Sequence, residues 1–245
     1  MALGTSSAKL EQGLRRAIDE RQLRVHYQPV VDLHTGAVTG VEALVRWKHP
    51  NRGLLAPDVF LAMAEESGLV VPLGGWVLGE AVHLLSWASL AGGLGVGVNV
   101  SQRQLEDPDF AAAVAALLRG HSEVAALLEL EVPWSPDPAL QQLVRSAVGP
   151  LADAGVTLVA DLAGPLEDVP GDLHCAAVKV PVRELSVSPV DRAHLRHLVM
   201  VAKSVEHDAD LVRARTAGCD RGQGYRFASP VPAQRLPALL ESTLL

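Results

Sequence analysis

The stretch TGVEALVRWKHP, residues 39–50, places a glutamate and an arginine among apolar residues. With the two-residue period of a strand, Glu42, Leu44 and Arg46 share one face, and Val41, Ala43, Val45 and Trp47 share the other. The second face is core. The first is mixed, as on an edge strand with one side in water or on a strand that delivers side chains to a site. Just upstream, RVHYQPVVDL (24–33) has the same strand character, and the intervening HTG (34–36) offers a glycine suited to a tight hairpin turn.

Beyond this hairpin the chain alternates. Helical spacing predicts helices near 57–67, 72–90, 108–119 and 138–154, with strands at 94–100, 126–132 and 156–161 between and after them. A strand at 176–180, a helix or helix–strand unit at 188–204, a helix at 207–217, a short strand at 223–227 and a terminal helix at 232–243 follow. Before the hairpin, Leu10, Leu14, Ala17 and Ile18 fall at helical spacing, with Ser6 or Ser7 as the expected cap. Repeated αβ units imply a mainly parallel sheet with helices outside it. About eight strands in a chain of this size match a closed (β/α)8 barrel. The expected organisation is an N-terminal helix or linker over 1–22 and one barrel domain over 23–245.

The 245 residues are 49% hydrophobic and 20% charged, enough to bury a full core. The net charge of −7 comes from interspersed acids and bases with no basic stripe, which argues against nucleic acid as a partner. Apolar runs such as LVMVA (198–202) fall far short of the ~20 residues that span a bilayer. The polar opening MALGTSSAKLEQGLRR reads as a helix rather than a signal peptide. Cys175 and Cys219 are isolated in sequence, so they form neither a zinc framework nor a redox pair, and a reducing cytoplasm is the expected setting. His194 and His197 share a helix face with no third ligand in register, and a solvated face explains them.

In a barrel, chemistry gathers at the carboxyl ends of the strands. Several isolated polar residues fall there: Glu42 and Arg46 in the hairpin, Asn99 ending GVGVNVS, Glu131 ending LLELEVP, Asp161 ending VTLVAD, Lys179 in AAVKV and Gln223 in DRGQGYRF. Oxygen donors of this kind make a hard-cation site, and Arg or Lys supply counter-charges for a phosphate.

With these residues assembled, YQPVVDLHTGAVTGVEALVRWKHPNRGLLAPDVFLAMAEESGLV resembles the opening of an EAL domain, with the signature Glu-Ala-Leu at Glu42, Ala43 and Leu44. The family comprises phosphodiesterases that linearise cyclic di-GMP. VNVSQRQL, LLELEV, AAVKV and GCDRGQGYRFASPVPAQRL resemble its later blocks in order. The resemblance implies a TIM-like (β/α)8 barrel with one antiparallel strand, here modified or shortened in its second half. It implies Glu42, Asn99, Glu131 and Asp161 as metal ligands, Lys179 near the attacking water, and Gln28, Leu44, Arg46, Glu65 and Gln223 along the ligand cleft. Active members hold two Mg²⁺ or Mn²⁺ ions.

The departures are as informative. ADLAGP replaces the family's Asp-Asp-Phe-Gly-Thr-Gly, which puts Ala160 at an expected aspartate and alters a glycine-rich loop that carries dimer contacts. Pro133 and Trp134 replace Thr-Glu. AKSVE replaces Ala-Glu-Gly-Val-Glu, so Lys203 stands for the expected catalytic glutamate. The stretch from Lys179 to Lys203 is short, either losing part of a helix or, in another alignment, deleting the strand. At most one weakly held Mg²⁺ or Mn²⁺ is expected, and no confident catalytic residue remains. Lys203 either pairs with Asp161 or Glu131 as a surrogate cation or extends into solvent. Three functions compete: a non-hydrolysing cyclic di-GMP receptor, a protein-interaction module with a partner protein, and a slow metal-dependent phosphodiesterase. A homodimer is open, since the segments that would carry it are the altered ones.

Overall fold

The computed structural model describes residues 2–87, 94–164, 175–185 and 198–245. Strand β1 (Leu23–Asp32) and strand β2 (Val38–His49) form the expected antiparallel hairpin, in register from Leu23↔Trp47 to Val31↔Val38. The turn is built by Asp32, whose Oδ1 accepts from the backbone N–H groups of His34 (2.9 Å) and Thr35 (2.7 Å), and by Gly36, at φ +77° in the left-handed region that glycine tolerates. A short strand β3 (Gly53–Leu55) extends the hairpin on the far side of β2.

From β2 the sheet runs parallel through β4 (Gly95–Asn99), β5 (Leu128–Trp134), β6 (Thr157–Leu162), β7 (Ala177–Pro181), β8 (Val199–Lys203) and β9 (Arg221–Gly222). β9 then pairs antiparallel with β1, and β10 (Val231–Pro232) pairs with β1 beyond it. Eight strands thereby close into a barrel in which β1 alone opposes its neighbours. The interior holds Val30, Val159, Ala177 and Val201 as a separate buried cluster of small and β-branched residues. The main core lies outside, where Leu158, Ala160 and Leu162 of β6 meet helical residues such as Val144 and Leu151. That alternation sets which residue of each strand can reach the mouth.

Among the described residues the helices are α1 (Ala2–Asp19), α2 (Leu61–Ser67), α3 (Val70–Trp87), α4 (Gln102–Leu105), α5 (Phe110–Leu117), α6 (Ser122–Ala125), α7 (Pro138–Asp153), α8 (Asp208–Thr216) and α9 (Leu236–Leu240). α1 buries Leu14 and Ala17 against the hairpin, where Trp47 is fully enclosed and meets Phe60 edge-on at 5.8 Å. Among the described residues no single helix is long and apolar enough to cross a membrane. Cys219 is buried and Cys175 half-buried, and both thiols are free.

Four local expectations need correction. Helix α1 begins at Ala2, so Ser6 and Ser7 lie within it rather than capping it. The short late strand is Arg221–Gly222, not 223–227, because Gln223 to Phe227 turn back on themselves, with Phe227 N–H donating to the Gly224 carbonyl at 3.1 Å. The terminal helix shrinks to Leu236–Leu240 behind a 3₁₀ turn over Ala233–Arg235. Finally, Val199–Lys203 is a strand in parallel register with β7, so the alignment that deletes it fails. Any shortened helix before it, His194 and His197, and most of the altered loop after β6 lie outside the described residues.

Candidate functional site

The barrel brings seven of the sequence-selected residues to one mouth. Register explains how: Gln28 on β1 faces Glu42 on β2, Asn99 at the end of β4 is level with Glu131 on β5, and Asp161 on β6 is level with Lys179 on β7. Gln28, Glu42, Glu131, Asp161, Lys179, Lys203 and Gln223 line a cavity of about 240 Å³, joined by Ser204, Glu206 and Tyr225. Sequence reasoning missed those last three. Tyr225, 63% exposed at the rim, had a signal in its position two residues after Gln223 in the same turn.

Lys179 is the hub. Its ammonium, almost wholly buried, donates to Glu131 Oε1 at 2.5 Å and to Glu42 Oε2 at 2.9 Å. Glu42 also accepts from Gln223 Nε2 (2.6 Å) and Asn99 Nδ2 (2.6 Å), and Gln223 reaches Gln28 Oε1 at 3.2 Å. Burial pushes the Glu42 carboxyl up, but the Lys179 charge and the three hydrogen-bonding partners outweigh it and hold the group below its ordinary range. Burial and the neighbouring Glu42 charge push Glu131 up to about 8. Burial pulls Lys179 down, but Glu131 and Glu42 more than offset it and keep the ammonium protonated. Two carboxylates thus share one buried cation, and Glu42 ionises first.

Space for this arrangement comes from Gly97. A Cβ there would overlap Glu131 Oε1, so β4 must be bare where the carboxylate crosses it.

Of the two carboxylates open to Lys203, the structure selects Asp161: Lys203 Nζ lies 2.5 Å from its Oδ1, each side chain 26% exposed. Ala160 calls for a correction. It is fully buried in the outer core with Leu158 and Leu162, while Val159 and Asp161 face inward. An aspartate at 160 would point away from the mouth, so Ala160 does not mark a lost ligand. Leu162 is also turned outward, and β6 delivers one carboxylate to the mouth.

Leu44, Glu65 and Asn99 line a second cavity of about 550 Å³ next to the first, with Pro57, Leu61 and Pro133. Burial raises the Glu65 carboxyl, with Arg103 opposing. Arg46 continues the mixed face of β2 outward from the mouth. Its guanidinium is half-buried and donates to the Val45 carbonyl at 2.8 Å.

A pair of divalent ions needs several carboxylate oxygens converging free of other partners. Here Glu42, Glu131 and Asp161 are each bonded to an ammonium, and residue 203 brings a positive charge. Among the described residues no three His, Cys, Asp or Glu side chains converge as a metal site. Each of the three acidic residues that the resemblance implies as metal ligands thus already has a lysine partner.

The EAL domain family model matches residues 11–165. The chain belongs to the EAL domain family. The cyclic di-GMP phosphodiesterase NbdA of Pseudomonas aeruginosa is 33% identical over 261 residues, covering 97% of this chain and 33% of that protein. The cyclic di-GMP phosphodiesterase PdeR of Escherichia coli is 32% identical over 249 residues, covering 91% and 36%. The chain therefore spans about a third of the length of these curated relatives. Among solved structures, the PaMucR phosphodiesterase in its c-di-GMP complex superposes with a TM-score of 0.80 at 32% identity, over 93% of this chain and 99% of that one. The EAL enzyme Bd1971, bound to cAMP and cyclic di-GMP, gives 0.79 at 25% identity, over 97% and 70%. The described residues thus carry the EAL barrel fold.

Proposed function

We propose that this EAL domain is a cyclic di-GMP receptor that does not hydrolyse its ligand. The observation that carries this reading is the division of the mouth. Gln28, Leu44, Arg46, Glu65 and Gln223, the residues expected along the ligand cleft, line the two cavities or the strand face leading out of them, while the three acidic residues expected to hold metal are tied to lysines. Ground-state binding uses the first group and needs no activated water. Hydrolysis by the family's two-ion route needs the second group free. The c-di-GMP complex of a structural relative at 32% identity supports the choice of ligand.

Calorimetric titration with cyclic di-GMP, in EDTA and then in excess Mg²⁺, with the nucleotide analysed afterwards by chromatography, tests the proposal. Equal affinity in both buffers with intact nucleotide is expected, and Arg46→Ala should abolish the heat. Linear product in Mg²⁺ would make the chain a slow phosphodiesterase. Absence of heat in both buffers would instead make it a protein-interaction module built on an EAL barrel.

A further inference from the structure

We infer that Lys203 is the resident cation of the mouth, taking the electrostatic role of a divalent ion so that the cleft keeps its shape without metal. Three carboxylates, Glu42, Glu131 and Asp161, face one cavity. Lys179 is consumed by the first two. Asp161 would then stand without a counter-charge, and Lys203 supplies it at 2.5 Å. The pairing is not between adjacent strands. Asp161 is on β6 and Lys203 ends β8, so the lysine stem crosses over β7, a separation of roughly 10 Å between strands that only a long side chain bridges.

The backbone just beyond Lys203 is tightly held. Ser204, the next residue, is held at φ +60°, a left-handed conformation that costs a non-glycine residue about 1–2 kcal/mol. Backbone hydrogen bonds clamp the bend from both sides: Gln223 N–H donates to the Ala202 carbonyl at 2.8 Å, and Val205 N–H donates to the Gln223 carbonyl at 3.0 Å. The turn that carries Gln223 into the mouth is therefore tied by its backbone to the end of β8, where Lys203 sits.

The inference does not depend on which nucleotide the cleft takes, and its test contains none. Manganese binding to the full chain is followed by the loss of the free-ion electron paramagnetic resonance signal, for the native protein and for Lys203→Glu. The native chain is expected to leave the signal unchanged, and its melting temperature should be the same in EDTA and in manganese. Lys203→Glu, which frees Asp161 and adds a carboxylate beside it, should bind the ion at least about tenfold more tightly, a change of about 1.4 kcal/mol. If circular dichroism shows that Lys203→Glu is unfolded, Lys203→Gln is read in its place, with the same direction expected. Native binding of manganese as tight as that of the variant would overturn the inference, and so would a folded variant with no gain.

Discussion

Lys179 sits where an ammonium has no access to water, so what it does for the protein is set by Glu42 and Glu131 alone. Removing its charge leaves the buried Glu42 carboxylate without its cation and beside Glu131, a loss of about 3–5 kcal/mol for a broken buried pair. Urea denaturation of Lys179→Met should show that loss, and adding Glu42→Gln, which removes the negative charge left unpaired, should recover much of it. Gly97 acts on the same atoms from below: Gly97→Ala should displace the Glu131 carboxylate from Lys179 and cost about 1–3 kcal/mol, read as a lower urea midpoint. Part of this was legible in the sequence. Glu42, Glu131 and Lys179 announce themselves as lone polar residues at strand ends, and their convergence follows from barrel topology. Gly97 does not announce itself, because its reason is a carboxylate on the neighbouring strand. Ala160 resembles a lost aspartate by motif alone, whereas the alternation of Val159 and Asp161 against Leu158, Ala160 and Leu162 says which side faces the lumen.

At the level of elements, the hairpin was readable almost to the residue, since turn chemistry and alternation agree over 24–47. Its turn is an acid-sensitive element. Hydrogen bonds from the Thr35 and His34 backbone, with the Thr35 hydroxyl, hold the Asp32 carboxyl below its ordinary value of 3.8 despite some burial. A lowered folded value means the unfolded chain binds this proton first, so the contribution is present above 3.8 and is lost as pH falls through the folded value. Asp32→Asn should therefore flatten the acid limb of a stability-versus-pH curve measured by denaturant. The same hairpin sets Arg24 directly across from Arg46, two like charges in facing positions. Arg24→Glu should stabilise the fold by roughly 0.2–1 kcal/mol in a urea titration. The turn after β9 was misread as strand because its apolar and aromatic residues look extended, while its shape is dictated by Gly224, where any Cβ would strike the Val205 backbone.

For the whole molecule, closure depends on a narrow seam. β9 contributes two residues, and among the described residues the strand pairs Val31↔Gly222 and Asp32↔Arg221 join the last barrel strand to the first, with Leu33 N–H donating to the Asp220 carbonyl at 2.9 Å just beyond. Arg215 of α8 spans the junction, its Nε and Nη2 both donating to the Leu33 carbonyl at 3.1 and 2.9 Å. Arg215→Ala should cost about 1 kcal/mol and raise amide hydrogen exchange at Val31 and Leu33 more than in β5 or β6. The barrel as a whole was legible from eight strand signals in alternation with helices. The seam was not, because a two-residue strand leaves no pattern to read. One element joins the outside of the molecule to its mouth. β2 is twelve residues long, with Glu42 at the cavity and Trp47 enclosed beneath α1, where a Cβ on Gly13 would come within 3.0 Å of the indole. Helix packing and cleft wall are thus two faces of one strand, with Trp47 turned toward α1 and its neighbour Arg46 turned the other way.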